Sequence, residues 1–251
     1  MSSVTVRGVE IGSGLPKIIV PLVGADVEEL VGQARAAVAA SPDLLEWRLD
    51  FLADRSPSAV VAAAHALVPE LGGRPLLATF RTADEGGQQP ITPDRYVELY
   101  GALIEARLVD LVDVEIEREV TAVDAVIATA RSAGVAVIGS FHDFGGTPPV
   151  PVMVATLRTM VERGVDIAKI AVMPHDAGDV LALLQATWTA SQELPRPLIT
   201  MSMAGTGVVS RLAGEVFGSA ATFGTAGQAS APGQVEVPEL RATLQIIHAA
   251  V

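Results

Sequence analysis

A chain of 251 residues fits one large domain or two small ones, and half of its residues are hydrophobic, mostly small and branched aliphatic types that can bury a sizeable core. The net charge of −12, with no block rich in Lys and Arg, excludes the footprint of a nucleic-acid binder and points to a small-molecule partner. The absence of cysteine excludes disulfides and thiolate chemistry, and four scattered histidines without ligand spacing predict no metal site.

In chain order, the N-terminal MSSVTVRGVEIGSG lacks the basic start and apolar centre of a secretory signal, so the expected location is cytoplasmic. Residues 4–11 alternate like a pair of strands, expected as a hairpin across the bottom of a barrel. Short runs rich in Val, Ile and Leu then recur at 17–24, 44–50, 75–82, 111–117, 136–143, 167–173, 197–204 and 220–225. Between them lie amphipathic, Ala-rich stretches that begin near Asp26, Ser56, Thr92, Thr121, Pro149, Asp176, Gly207 and Pro238, several with an N-cap residue or a first-turn proline. The apolar run 59–68 contains His65 and stops at Pro69, short of the roughly 18 to 20 residues of a membrane helix, so no membrane span is expected. Eight strand–helix repeats predict an α/β fold, a (β/α)8 TIM barrel occupying 1–251 as a single domain. An open doubly wound sheet would carry a glycine fingerprint after its first strand, where this chain reads GADVEEL. The two long loops, 83–91 and 225–237, are candidate lids.

Barrel sites lie at the C-terminal ends of strands, so polar residues facing inward there carry the functional signal. In LLEWRLD, Glu46, Arg48 and Asp50 share one face while Leu45, Trp47 and Leu49 share the other, which sends the charged face into the barrel. Arg81 stands at the end of the third predicted strand with Glu85 in the loop after it, and His142 ends the fifth beside Asp143 and a glycine pair. Only two of the 17 basic residues are lysines, Lys17 and Lys169, and Lys169 interrupts the aliphatic DIAKIAVM on the face of Ile167 and Ala171. Burial disfavours the ammonium form, and a neutral amine is a nucleophile toward ketones and aldehydes. The structural alternative is an ion pair with a buried carboxylate such as Glu46. Met203 reads as a core residue of the seventh strand and Phe223 ends the eighth, whereas the planar fork of Arg211 suits a carboxylate. Ser230 and Gln234 lie in a polar loop that could close over a hydroxylated ligand or be merely solvated.

The segments EWRLD at 46–50, ATFRTADEGG at 78–87, SFHDF at 140–144, DIAKIAVM at 166–173, SMAGTGVVSRLAGEVFGS at 202–219 and ATFGTAGQASAPGQ at 221–234, in this order, resemble the type I 3-dehydroquinate dehydratases of the shikimate pathway. The resemblance implies a homodimeric barrel without metal or organic cofactor that eliminates water from 3-dehydroquinate in the syn sense, giving 3-dehydroshikimate through a lysine Schiff base. It places the imine on Lys169, the general acid/base on His142 and the orienting carboxylate on Glu85. The carboxylate clamp falls on Arg211, contacts to hydroxyl groups on Glu46, Arg48, Arg81, Ser230 and Gln234, and apolar walls on Met203 and Phe223. Pro21 stands where many members of the family have a small polar residue, which leaves open any contact from that strand. Arg48, Arg81 and Arg211 would make a locally positive mouth for an anionic substrate. A Schiff-base aldolase of the same fold is the enzyme alternative, expected to hold phosphate on glycine-rich backbone at the last two strands; a quinate-type sensor without turnover is the non-enzyme one.

Overall fold

Strands apolar on both faces need a sheet covered on both sides, and the computed structural model of the chain, which describes residues 3–227 and 233–250, forms one. An antiparallel hairpin of β1 (Val4–Val6) and β2 (Val9–Ile11) comes first. Then β3 (Lys17–Leu22), β4 (Leu44–Arg48), β5 (Leu76–Thr79), β6 (Leu111–Glu115), β7 (Ala136–Asp143), β8 (Ile167–Val172) and β9 (Leu198–Ser202) pair in sequence order, all parallel. The last barrel strand, β10 (Ala221–Thr225), returns beside β3. Just before it, the Ala220 N–H donates to the Leu198 carbonyl at 2.7 Å and the Lys17 N–H donates to the Ala220 carbonyl at 3.0 Å, which closes the barrel.

Helices α1 (Val27–Ala39), α2 (Pro57–Leu67), α3 (Pro93–Glu105), α4 (Val120–Ala133), α5 (Val150–Glu162) and α6 (Ala177–Glu193) follow the first six barrel strands. Two short helices, α7 (Val208–Leu212) and α8 (Gly214–Phe217), follow β9; a two-residue strand, β11 (Val235–Glu236), beside β10 leads into α9 (Val237–His248). Three caps are those the sequence predicts: the Asp26, Ser56 and Asp176 side chains each accept backbone N–H bonds in the first turn, each worth about 0.5–2 kcal/mol of helix stability, whereas Thr92 makes no side-chain cap bond and Glu119, not Thr121, caps α4.

Alternation along the strands separates two cores. Outward-facing Leu45, Trp47, Val112, Val114, Ala168 and Ile170 pack under the helices. The inward positions nearest the strand starts, Leu44, Leu77, Leu111, Ile138, Ile167 and Ile199, form an apolar floor that Val6 and Ile11 of the hairpin complete from below. Arg7 and Gly8 both take positive φ, 45° and 79°, the requirement of a two-residue hairpin turn. The ion pair of Arg7 with Asp110 at 2.6 Å ties that turn to the barrel.

Six predicted strands overrun at their C-terminal ends: β3 stops at Leu22, β8 at Val172 and β9 at Ser202, and the other three bear on the site. β4 stops at Arg48, and a 3-10 turn over Leu49–Phe51 carries Asp50 into a buried position instead of along the strand. β5 stops at Thr79 and β6 at Glu115, which leaves Arg81 and Glu117 beyond the ladder. The loop expected as a lid at 83–91 is tied down: Ala83–Glu85 form a 3-10 turn, the Gly87 N–H reaches the Thr82 carbonyl at 2.7 Å, and the Gln88 N–H reaches Asp50 at 3.1 Å.

Candidate active site

Above the apolar floor the inward positions turn polar. Lys169, only 3% exposed, donates from Nζ to Asp113 Oδ2 at 2.9 Å, with the Phe223 ring centroid 4.8 Å from Nζ. Its carboxylate partner is therefore Asp113 and not Glu46, which instead accepts the Thr79 hydroxyl at 2.8 Å. The other oxygen of Asp113 accepts Arg81 Nη2 at 2.7 Å and the Ser140 hydroxyl at 2.5 Å. Burial alone would raise the pKa of Asp113, but Arg81 and Lys169, with His142 and the Ser140 hydroxyl, hold it well below the usual carboxylate range.

Arg81 is fully surrounded by acceptors. Its Nη1 reaches Glu115 at 2.9 Å, Ser140 at 3.1 Å and Glu85 at 3.2 Å. Burial works against the guanidinium charge, yet Asp113, Glu115, Glu85 and Glu46 together raise its pKa well above the ordinary value. Glu115 is anchored in turn by the Thr82 N–H and hydroxyl, both at 2.8 Å.

His142 Nδ1 lies 2.8 Å from Glu85 Oε2, which leaves Nε2 as the nitrogen available to a ligand. Burial pushes Glu85 up to about 8, with Arg81 opposing and Glu115 and Asp113 adding to the rise. Burial also pushes His142 well below the ordinary histidine value, helped by Arg81 and Lys169. Burial thus works against charge on either partner, and in the state of the pair that holds a single proton, on Nδ1 toward Glu85, Nε2 carries a free lone pair. Glu85 is placed by its 3-10 turn, which only glycine permits at Gly87: a Cβ there would lie 1.8 Å from the Arg81 carbonyl oxygen.

The arginines expected to make a positive mouth differ from one another. Arg48 is forked onto Asp50 through Nε and Nη2, both at 2.8 Å, and Arg81 is neutralised as above. Among the described residues Arg211, 2% exposed, has only the sulfur of Met201, at 3.5 Å from Nη1, and its Nε has no hydrogen-bond partner there. Burial without a carboxylate among the described residues lowers its pKa to about 10. Among the described residues, the positive charge at the mouth without a carboxylate partner is Arg211.

These groups line one cavity of about 240 Å³, where Lys169, His142, Glu85 and Arg211 meet Glu46, Arg48 and Arg81. Met203, Phe223 and Gln234 complete the predicted set in the same wall, and Ser230 lies outside the described residues. Sequence reasoning missed Asp113 and Glu115, the carboxylates that organise the cations, and Phe51, Gln88 and Phe144 in the wall. The signal for the first two was present: LVDVE alternates as LLEWR does, and its acidic face follows from the same period of two. Pro21 is buried in register with Glu46 and offers no polar side chain. Among the described residues no group of three His, Asp or Glu side chains could hold a metal ion.

A buried amine, a histidine–carboxylate pair and a guanidinium with no carboxylate among the described residues, at the C-terminal mouth, define a (β/α)8-barrel enzyme suited to acid–base chemistry on a small anion. The family model described as type I 3-dehydroquinase matches residues 18–251. The chain is 48% identical to the 3-dehydroquinate dehydratase of Listeria monocytogenes serotype 4b over 99% of each chain, and 48% identical to that of Salmonella typhimurium strain LT2 over 100% of each. The crystal structure of a type I 3-dehydroquinate dehydratase from Clostridium difficile superposes with a TM-score of 0.96 at 41% identity, covering 100% of this chain and 99% of that one. The chain belongs to the type I 3-dehydroquinase family and is by that membership a hydro-lyase.

Proposed function

We propose that this enzyme converts 3-dehydroquinate to 3-dehydroshikimate by syn elimination of water, through an imine on Lys169 with His142 moving the protons. The observation that carries this reading is the meeting, in one cavity, of the Lys169 amine with the His142–Glu85 pair and the unpaired Arg211. Lys169 attacks the ring ketone and loses water to give a protonated imine, an electron sink that acidifies the neighbouring C–H. His142 takes that proton through Nε2, giving an enamine, and returns it to the departing hydroxyl on the adjacent carbon. Hydrolysis of the conjugated imine then releases product and lysine. Glu85 orients His142 and shares its proton. Arg211 supplies the charge that a substrate carboxylate neutralises, the role its missing partner leaves open.

Contacts to the substrate hydroxyls fall to Glu46, Arg48, Ser230 and Gln234, with Met203 and Phe223 as apolar walls. Arg81 belongs to the same set, but its Nη1 and Nη2 groups are engaged with protein acceptors, so its first task in this reading is to hold Asp113 and Glu85 in place. Work in the cytoplasm, and assembly as a homodimer, belong to the same reading; α6 exposes Leu181 and Trp188 two turns apart, apolar surface that a second copy would cover.

Following the ultraviolet absorbance of the conjugated enone with purified protein and 3-dehydroquinate tests the reading. Turnover is expected, and Lys169→Ala should abolish it while the protein stays folded. A folded parent protein that produces no enone, or a folded Lys169→Ala variant that keeps turnover, would overturn it.

A further inference from the structure

The imine reading leaves one buried group unexplained. Asp113 is fully buried, its Oδ1 is fixed by Arg81 and Ser140, and its Oδ2 is aimed at the nitrogen that would become the imine. Resting on the reading that Lys169 forms an imine, we propose that Asp113 is the counter-ion of that imine, in direct contact with the reacting nitrogen and keeping it protonated through the elimination.

The balance of atoms favours this role. When an ammonium and a ketone give a protonated imine, the carbonyl oxygen leaves as water with two of the three ammonium hydrogens. The third stays on nitrogen together with the positive charge. No net proton enters or leaves, so a carboxylate fixed at 2.9 Å from Nζ faces a cation before and after the step. An electron pair released from the neighbouring C–H can flow into the C=N bond only while that nitrogen carries its proton. The other charged or titratable groups around the pair are Arg81 just after β5, Glu85 of the turn that follows, His142 from β7, Glu46 and Arg48 from β4, and Arg211 from α7. Arg48 and Arg81 already have carboxylate partners, and Arg211 is a further cation. Without Asp113 the buried imine proton would face Arg81 with no carboxylate held against its own nitrogen and would leave more readily. Sharing Asp113 with Arg81 and Ser140 also keeps the carboxylate from taking that proton itself, because two donors already stabilise its ionised form.

The first test uses the unaltered enzyme. Added 3-dehydroshikimate should load Lys169 with the product imine, whose infrared C=N band is compared in H2O and D2O. A band that moves in D2O carries an exchangeable proton on nitrogen, as expected. An unmoved band overturns the counter-ion, and the absence of any imine band overturns the imine reading and the counter-ion with it. In the second test, Asp113→Asn should lower kcat by about 10²- to 10³-fold, the scale of removing one preorganised electrostatic partner, with a smaller change in KM. The alkaline limb of its kcat profile should move to lower pH, because the imine loses its proton sooner. Asp113→Glu restores the charge and should pull that limb back. A folded Asp113→Asn enzyme with the parent kcat and the parent alkaline limb overturns the proposal.

Discussion

His142 and Glu85 meet at 2.8 Å in a place where burial opposes charge on both, and the histidine acts as a base through Nε2 in the state of the pair that holds a single proton, on Nδ1. Nε2 becomes a free base when the pair loses the proton that burial holds on Glu85 up to about 8, so kcat/KM should rise with pH between about 6.5 and 8, and a profile already flat from about pH 5 upward would contradict the assignment. His142→Gln should lower kcat by about 10²- to 10⁴-fold, the usual worth of positioned acid/base catalysis, while still allowing the imine to form. Arg211 poses a different test. Its carboxylate contact should be worth about 1.5–3 kcal/mol, so Arg211→Ala should raise KM roughly 10- to 100-fold. The same change removes a buried cation with no carboxylate among the described residues, so the thermal midpoint should hold or rise. An unchanged KM would remove Arg211 from the site.

The elements explain why part of this was legible and part was not. All eight barrel strands stand where the aliphatic runs place them, because a strand buried on both faces has no other way to be written. Their ends were overestimated where alternation continues into a tight turn, as at Asp50, which stays buried in the 3-10 turn after β4. Period two reports which face a side chain takes, but the stagger between neighbouring strands decides at what height it sits. That is why Lys169 is recognisable in the sequence while its partner is not: Asp113 is 56 residues away and two strands over. Glu85 depends on a turn rather than a strand, and this gives an element-scale prediction. In Gly87→Ala the new Cβ would press on the Arg81 carbonyl and displace the Ala83–Glu85 turn. Loss of about 10²-fold in kcat with unchanged circular dichroism is expected from a shift of that size; full activity would show that the turn does not position Glu85.

At the scale of the whole molecule, the same buried groups shape stability against pH. Between pH 4.5 and about 8 the folded chain keeps a proton on Glu85 that the unfolded chain has lost, so stability falls as pH rises through that window. Below 6.5 the unfolded chain binds a proton on His142 that the folded chain refuses, so stability falls as pH drops. The two slopes oppose each other from 4.5 to 6.5. Below 3.8 the depressed Asp113 adds a further loss as pH falls. The thermal midpoint should therefore be highest between about pH 4.5 and 6.5 and lower at pH 8, in the sense that a net charge of −12 at neutrality also favours. Glu85→Gln should flatten the decline above 6.5, and a midpoint that climbs from 6.5 to 8 would contradict the account. Its central claim, that Lys169 is the covalent centre, is met most directly by borohydride reduction in the presence of 3-dehydroquinate followed by peptide mass mapping. The chain carries its own control in Lys17, which donates to the Ser13 and Leu15 carbonyls at the start of β3, far from the mouth. A substrate-dependent adduct confined to Lys169 is the predicted result; folded protein with no adduct, or one labelled on Lys17, would contradict it.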